Sequence, residues 1–333
     1  MIPTLATPPS ENRRSGGYIY NARIAAILEP RGLLRHEYVP PERIAGWAAD
    51  TAEPIVLDSL YLHRADVLAA VRARAAVSQR RWTLLAHLLP SQETEREQER
   101  RREQRALPLF DAAIAPSRHM CEILSRRGLS PHALSVCAPG TDLPAEPAAP
   151  NCLEPPVVLT VANWIPRKNL EAVLEALESC ADLEWWWHIV GFADRRSPYV
   201  RRLRRLLGSS PVRERITCHG PLELEALSAL WRRASLFALA TRFESYGMVL
   251  AEALSYGVPV IAPRIGAVPE IIESGRTGLL YPADQPGRLA ELLRELLSDP
   301  GLRRRVAGAA RQAAAALPNW EQTAGCFAAA CGA

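Results

Sequence analysis

The chain has 333 residues, of which 48% are hydrophobic and 23% charged, and its formal net charge is +4 at pH 7. This length allows two domains, and the hydrophobic fraction excludes general disorder. The small net charge, spread over the whole length, indicates no nucleic-acid partner.

Seven cysteines are scattered along the chain without a Cys-x-x-Cys pair. This pattern favours small core residues of a reduced protein over disulfides or metal ligands. No apolar run approaches the roughly 18 residues of a membrane span, and no signal peptide opens the chain. We therefore expect a cytoplasmic protein with at most peripheral membrane contact.

The beginning of the chain predicts a strand, a glycine-containing loop and a helix. Residues 2–6 are a short apolar stretch, and the polar loop after them ends in Gly16-Gly17, before the helical periodicity of residues 18–28. Glycine lets the backbone approach a ligand closely, and helix starts bind phosphate. The loop thus predicts a phosphate-approach site, with a plain flexible turn as the alternative.

The next two predicted strands carry polar residues at their carboxyl ends. Residues 53–58 end in Asp58, residues 65–76 form a helix, and residues 83–89 form a strand that ends near His87. Ligands of open α/β sheets bind at this edge. His87 is therefore interpreted either as a site residue or as a structural histidine.

Residues 92–105 mix Glu and Arg at helical spacing, which predicts a solvated helix. Contact with a membrane surface is the alternative, disfavoured because the run has no apolar face. The first half then continues with a strand and turn at residues 110–117, a helix over residues 120–127 capped by Ser117, and a strand within residues 134–142 that ends in Pro-Gly-x-Asp.

A stretch rich in Pro and Ala, without periodicity, predicts a linker between two domains. We predict an N-terminal domain over residues 1–145, a linker over 146–156, a C-terminal domain over 157–318 and a final helix within 319–333.

The second domain is predicted to repeat the alternation of strands and helices. Predicted strands cover residues 157–162, 185–191, 216–220, 235–240 and 258–262, and predicted helices cover 170–179, 199–207, 222–233, 246–256, 285–298 and 301–317, with a short turn at 276–281. Such alternation predicts an α/β fold of doubly wound parallel sheets. Two such halves predict a ligand cleft between facing carboxyl edges.

The most informative stretch is residues 241–260, predicted as a loop, a helix and the start of a strand. Glu244 lies on the loop, and Glu252 lies in the first two turns of the helix, which Gly257 and Pro259 end. The backbone N–H groups at the positive end of this helix suit phosphate. They belong to Tyr246, Gly247, Met248 and Val249. Two acids around a phosphate site predict a ligand with hydroxyls at both ends, such as a nucleoside diphosphate sugar.

This unit resembles the retaining GT-B glycosyltransferases of family 4, whose mark is Glu-x7-Glu followed by Ala-small-x-x-Gly-x-Pro-Val. The resemblance implies that Glu244 contacts the donor sugar and Glu252 the ribose. It is strong over residues 157–330. Over residues 1–145 it rests on Gly16-Gly17, His87 and the Pro-Gly-x-Asp segment.

A departing diphosphate needs compensation of its charge, and fixed cations beside a helix start supply it without a metal. Arg167 and Lys168, the only lysine of the chain, follow the first strand of the second domain. They are either exposed basic residues or, as the resemblance implies, the diphosphate site. Most members of the family carry Arg where this chain has Asn163. Because asparagine supplies no charge, Asn163 is expected to line the cleft while Arg167 and Lys168 hold the diphosphate.

The resemblance also implies roles for Gly16, Gly17 and His87, and a final helix over residues 319–333 that packs back on the N-terminal domain. The Gly16-Gly17 loop faces the donor phosphates, with Gly17 in contact and Gly16 lining the cleft, and His87 contacts the donor sugar or the acceptor. Gly266, at the edge of the next strand, either lines the cleft or belongs to a structural turn.

The resulting hypothesis is a retaining, metal-independent hexosyltransferase. Its catalytic residues would be Glu244, Lys168 and His87, and it would use a UDP- or GDP-linked sugar as co-substrate without a separate cofactor or metal. The acceptor would be a small molecule, a glycan or a lipid-linked molecule. A GT-B sugar-nucleotide epimerase and a non-catalytic GT-B scaffold are the alternatives.

Overall fold

The computed structural model describes residues 1–9, 15–51, 53–63, 69, 81–94, 97–144 and 154–332. The chain forms two compact units. Unit 1 comprises Met1–Gly140 and Pro318–Ala333, and unit 2 comprises Thr141–Leu317. Most of the predicted helix over residues 65–76 and most of the predicted linker over residues 146–156 lie outside the described residues.

Unit 1 contains a six-stranded sheet in the order β2-β1-β3-β4-β5-β6, and all its neighbouring strands run parallel. The strands are Thr4–Thr7 (β1), Arg35–Tyr38 (β2), Ile55–Asp58 (β3), Trp82–Leu85 (β4), Ala112–Ala115 (β5) and Leu134–Val136 (β6). The chain reverses its direction of travel across the sheet between β1 and β3. In sheets of this kind the carboxyl edge at such a point is where ligands bind.

The described helices of unit 1 surround this sheet. They are Gly16–Leu28 (α1), Ile44–Asp50 (α2), Pro90–Thr94 (α3), Glu97–Ala106 (α4), Arg118–Arg126 (α5) and Trp320–Cys331 (α13). Ser117 caps α5 as predicted, since its Oγ accepts from the N–H of Met120 at 3.1 Å. The last helix lies against α1, where the Tyr20 and Trp320 rings are 6.0 Å apart edge to face.

Several predictions for the first half were wrong in detail. Gly16 and Gly17 form the first turn of α1 rather than the end of a loop, and β4 ends at Leu85, so that His87 follows it in a loop. The strand β2 was missed because its sequence, Arg-His-Glu-Tyr, has no apolar run and lies at the sheet edge.

The predicted solvated helix over residues 92–105 is α3 and α4, and it is not solvated all round. The Glu103 carboxylate is buried, and it accepts from the Ser91 N–H at 2.6 Å and pairs with Arg127. Because a buried carboxylate needs such partners, Glu103 makes a structural contact and is not a solvated residue of the charged run.

Unit 2 contains a second parallel sheet, in the order β12-β11-β10-β7-β8-β9. Its strands are Val157–Val161 (β7), Trp186–Val190 (β8), Ile216–Gly220 (β9), Leu236–Ala238 (β10), Val260–Pro263 (β11) and Gly278–Tyr281 (β12). The chain reverses direction between β7 and β10, which are hydrogen-bonded neighbours. The predicted fold class, doubly wound parallel α/β, is confirmed.

Of the described helices of unit 2, six lie within a few residues of their predicted positions, and the short helix Val268–Ile271 was not predicted. The described helices are Leu170–Glu178 (α6), Pro198–Ser209 (α7), Leu224–Arg233 (α8), Met248–Ser255 (α9), Val268–Ile271 (α10), Arg288–Ser298 (α11) and Pro300–Ala314 (α12). The turn predicted at residues 276–281 is wrong, because most of it is the edge strand β12. Nowhere in the described chain is a helix both long and apolar enough to cross a membrane.

Candidate active site

The site in unit 2 is built around a pair of opposite charges at the carboxyl edge of the sheet. Lys168 Nζ donates to Glu244 Oε1 at 2.5 Å, and their side chains are only 14% and 6% exposed. Lys168 lies in the loop after β7 and Glu244 in the loop after β10, so the pair forms at the reversal point of the sheet. Burial lowers the pKa of Lys168, while the neighbouring Glu244 carboxylate opposes this change.

Arg167 holds these two loops together. Its Nη1 donates to the Phe243 carbonyl at 2.8 Å, and its own carbonyl accepts from the N–H of Arg242 at 2.8 Å. The Thr241 hydroxyl donates to the carbonyl of Phe243 at 2.9 Å. Arg167 Nη1 also lies 4.0 Å from Glu244 Oε2. Two cations therefore lie beside one carboxylate, which leaves a local positive charge for an anionic ligand.

Gly266 fixes the backbone of Glu244 from the neighbouring loop. Its φ is +57°, and a Cβ at this position would lie 2.2 Å from the Glu244 carbonyl oxygen. The N–H of Ala267 donates to that same oxygen at 2.9 Å. Gly266 therefore belongs to a structural turn that supports the backbone of Glu244.

The helix α9 begins next to this pair. Gly247 is its N-cap with φ +99°, and Met248 is its first residue, so Tyr246 and Gly247 precede the helix rather than start it. The first N–H groups of a helix have no acceptor within it and carry partial positive charge. They suit an anion beside Lys168, although Tyr246 itself is buried, and burial raises its pKa to about 12.

Glu252 lies in the second turn of α9 and is half-buried. Burial raises its pKa from 4.5 to about 7, and the negative charge of Asp142 adds to this rise. The neighbouring Trp231 side chain lowers the pKa of Glu252, although its buried Nε1 makes no hydrogen bond of ordinary geometry. An acid with such a pKa changes its charge near neutral pH, which is typical of functional sites.

Asn163 supports a loop instead of supplying charge. Its Oδ1 accepts from the N–H of Phe192 at 3.1 Å, and the Phe192 carbonyl accepts from the N–H of Trp164 at 2.8 Å. These bonds tie the loop after β7 to the loop after β8, at the same edge as Lys168.

A second cluster of predicted residues lies in unit 1, at the carboxyl edge of its sheet. Asn21 Nδ2 donates to Asp58 Oδ2 at 2.7 Å, and the Asn21 Oδ1 lies 2.8 Å from His87 Nε2. Because a carboxylate only accepts, the Asn21 amide is oriented with its oxygen toward His87, whose Nε2 must then carry the proton. His87 Nδ1 is left as an acceptor. Burial lowers the pKa of His87.

Gly17 packs directly on the His87 ring. A Cβ at Gly17 would lie 3.1 Å from His87 Cδ2, so any larger residue would push the ring away. Gly17 and His87 are thus one local arrangement at the start of α1, with Gly16 as the first residue of the helix.

Three supporting residues escaped the sequence analysis. Asn21 links His87 to Asp58, and Trp231 flanks Glu252. Both are distant in sequence from the residues that they support and belong to no recognisable motif. Thr241 lies within the motif stretch itself, and its hydroxyl lies 2.9 Å from the Phe243 carbonyl oxygen and 3.3 Å from the Arg167 carbonyl oxygen, which links the two loops of the ion pair. Within the described ranges, no three His, Cys, Asp or Glu side chains form a group that could hold a metal ion.

The chain is similar to proteins that carry glycosyltransferase names. The D-inositol 3-phosphate glycosyltransferase of Xylanimonas cellulosilytica is 29% identical over 238 residues, which are 67% of this chain and 57% of that protein. The GDP-mannose-dependent alpha-(1-6)-phosphatidylinositol monomannoside mannosyltransferase of Mycobacterium tuberculosis is 29% identical over 50% of this chain and 45% of its own. The chain spans about half the length of the curated relatives it matches.

The fold is also that of solved structures. The crystal structure of HepE from Anabaena in complex with UDP-glucose superposes with a TM-score of 0.80 at 17% identity, over 98% of this chain and 97% of that one. Two Rossmann-like units of this kind make up the GT-B fold. The sequence model of the family described as glycosyl transferases group 1 matches residues 146–313, which include the whole site of unit 2. Half of the chain thus matches this model, and the chain belongs to the glycosyl transferases group 1 family.

Proposed function

We propose that the protein is a retaining, metal-independent hexosyltransferase that uses a UDP- or GDP-linked sugar. The observation that carries this proposal is the buried Lys168–Glu244 pair beside the start of α9, at the reversal point of the sheet. A site with two fixed cations and a helix N-terminus binds a diphosphate, and the carboxylate beside them binds sugar hydroxyls.

In this proposal, each residue acts at a stated part of the donor. Lys168 and Arg167 stabilise the negative charge that develops on the leaving diphosphate, together with the N–H groups of residues 246–249. Glu244 accepts hydrogen bonds from the hydroxyls of the sugar. Glu252, as a carboxylate, accepts hydrogen bonds from the ribose hydroxyls. The nucleoside diphosphate sugar is a co-substrate, and no further cofactor takes part.

The cluster of unit 1 acts in this proposal on the transferred sugar or on the acceptor. In this cluster, His87 Nδ1 is the atom that accepts a hydrogen bond from the ligand, and Asn21 and Asp58 keep the ring in that tautomer. Gly17 contacts the donor phosphates. The acceptor is a small molecule, a glycan or a lipid-linked molecule.

The relatives support the class of donor. One of them is GDP-mannose-dependent, and one solved structure contains UDP-glucose. We extend this class to the present chain because the cations and the helix start that suit a diphosphate are all in place.

A thermal-shift panel of UDP, GDP, ADP and their sugar conjugates, with and without EDTA, tests the binding step. A ligand at 100 times its Kd stabilises the protein by about 2.7 kcal/mol, which is a shift of several degrees for a chain of this size. We expect one nucleotide family to raise the midpoint in EDTA, and the Glu252→Gln variant to lose most of that rise. If no nucleotide shifts the midpoint, the proposed donor site is rejected.

The reaction itself needs a separate test. The bound donor is incubated with candidate acceptors, and the anomeric configuration of the product is read by NMR from the coupling constant of its anomeric proton. We expect the configuration of the donor sugar to be retained. Inversion would contradict the proposal, and donor binding without transfer to any acceptor would favour the scaffold alternative.

A further inference from the structure

Two cysteines far apart in sequence meet in unit 1. Cys137 follows β6 and is buried, while Cys326 lies on α13 and is exposed. Their sulfur atoms are 2.7 Å apart. A disulfide bond is about 2.05 Å long, so the two sulfur atoms need to move by less than an ångström to bond.

The surrounding contacts hold both cysteines in place. The N–H of Cys137 donates to the Ala115 carbonyl at 2.8 Å, and its carbonyl accepts from the Tyr20 hydroxyl at 3.2 Å. On the other side, the Thr323 hydroxyl donates to the Ala138 carbonyl at 2.8 Å. Because α13 is already bound to the segment after β6, bonding the sulfur atoms requires little loss of chain entropy in the folded protein.

The exposed member of the pair is the one that a reagent in solution can reach. Burial raises the pKa of the Cys137 thiol well above its usual range, so Cys137 is a poor nucleophile in the reduced protein. Burial also raises the pKa of Cys331, on the same helix, to about 12. Cys326 is therefore the thiol that reacts first.

We propose that Cys137 and Cys326 are a reversible dithiol–disulfide pair that couples α13 covalently to the segment after β6 when a low-molecular-weight disulfide oxidises the protein. With oxidised glutathione, the Cys326 thiolate attacks one sulfur atom, forms a mixed disulfide and releases one glutathione. Cys137, held beside Cys326 Sγ, then attacks that sulfur atom and gives up its proton to the second glutathione, which departs as a thiol. Two protein thiols are oxidised and one glutathione disulfide is reduced to two thiols.

The position of the bond gives it a consequence for the whole chain. It closes a covalent ring over residues 137–326, which includes all of unit 2. The two places where the chain passes between the units, Gly140–Thr141 and Leu317–Pro318, lie inside this ring. Within unit 1, the residues next to these two crossings lie close together, because a Cβ added at Gly140 would lie 2.5 Å from the backbone nitrogen of Trp320. Closing so long a loop stabilises a folded chain mainly by restricting its unfolded state.

The test uses the full chain, incubated with oxidised or reduced glutathione, blocked with N-ethylmaleimide and digested without reduction. Mass spectrometry is expected to find a peptide pair joined through Cys137 and Cys326 after oxidation, and dithiothreitol is expected to remove it. In the Cys137→Ser variant we expect Cys326 to accumulate as the glutathione mixed disulfide. Cys218, an exposed cysteine on β9, serves as the internal control. It is expected to form only the mixed disulfide with glutathione and no bond to another cysteine.

A thermal measurement tests the structural consequence. Oxidised wild type is expected to melt several degrees above reduced wild type, and the Cys326→Ser variant is expected to show no such difference. The Cys121→Ser variant, which leaves the pair intact, should behave as wild type. The proposal is overturned if wild-type Cys326 carries only glutathione, if it is joined to Cys331 instead, or if the joined protein melts no higher than the reduced one.

Discussion

Lys168 and Glu244 lie 76 positions apart in the sequence and form a buried hydrogen-bonded ion pair. The pair joins the two loops that leave the reversal point of the unit 2 sheet. Taking either partner away leaves a charge in a place with little water, so the pair is both a structural and a chemical feature. This double role decides how substitutions at Lys168 have to be controlled.

The Lys168→Gln variant is expected to lose about 10²-fold or more in the rate of sugar transfer, because a charge that stabilises the leaving diphosphate is gone. Steady-state rates at saturating donor measure this loss. The Lys168→Arg variant keeps the charge and is expected to recover part of the rate. The Lys168→Gln/Glu244→Gln double variant distinguishes the loss of charge stabilisation in the reaction from the destabilisation caused by an unpaired buried carboxylate. Its thermal unfolding midpoint should be higher than that of Lys168→Gln alone. A rate for Lys168→Gln within a few-fold of wild type would rule out the role.

Glu252 is expected to make the protein less stable as the pH rises from about 4.5 to about 7. In this window the folded protein keeps a proton on the carboxyl group, whose pKa is raised to about 7, while the unfolded chain has released it. The stability linked to this proton is present below pH 4.5 and is lost by pH 7, on the order of 2–3 kcal/mol.

The Glu252→Gln variant stays neutral and lacks this loss. Urea unfolding of both proteins at pH 5 and pH 8 measures the difference. We expect the variant to gain stability relative to wild type between these two pH values. Parallel changes in both proteins would show that Glu252 does not titrate in this window.

The Gly266→Ala variant is expected to disturb Glu244, because the added Cβ would lie 2.2 Å from the Glu244 carbonyl oxygen. Gly275 offers a matched control in the same unit. It also has a positive φ, +84°, but a Cβ there would meet nothing within 4 Å. Both variants bear the backbone strain of about 1–2 kcal/mol, and only Gly266→Ala adds a clash of about 1–3 kcal/mol.

Thermal unfolding and donor binding of the two glycine variants measure this difference. We expect Gly266→Ala to lose donor affinity and Gly275→Ala to keep it. Equal effects on both measurements would show that Gly266 does not support Glu244.

Asn163 is expected to matter for its acceptor oxygen and not for charge. Asn163→Ala removes the hydrogen bond from the Phe192 N–H and should cost about 1 kcal/mol of stability. Asn163→Asp keeps an acceptor at the same place and should unfold like wild type, but its negative charge should weaken donor binding by roughly tenfold. Isothermal titration with the donor found in the thermal-shift panel measures this effect. Unchanged affinity in Asn163→Asp would place the diphosphate away from this residue.

The local patterns of the sequence were sufficient for the fold class and for most of the strands and helices. Buried strands such as β7 and β10 are short apolar runs, and helices such as α9 have clear ends, so periodicity and glycine or proline positions identify them. The edge strands β2 and β12 were not predicted, whereas the edge strands β6 and β9 were. β2 has no apolar run, and β12 has only a short one directly after Gly275-Arg-Thr, a stretch typical of turns; both strands are only partly buried.

By itself, the sequence determined the alternation of strands and helices, the motif around Glu244 and Glu252, and the presence of one lysine in a loop after a strand. Only the tertiary structure decided that Lys168 pairs with Glu244, that Asn21 orients His87, that Asn163 holds a loop and that Cys137 meets Cys326. The physical reason is that periodicity reports which face of an element is buried. Contacts between distant residues depend on strand order and loop geometry, which no local pattern encodes.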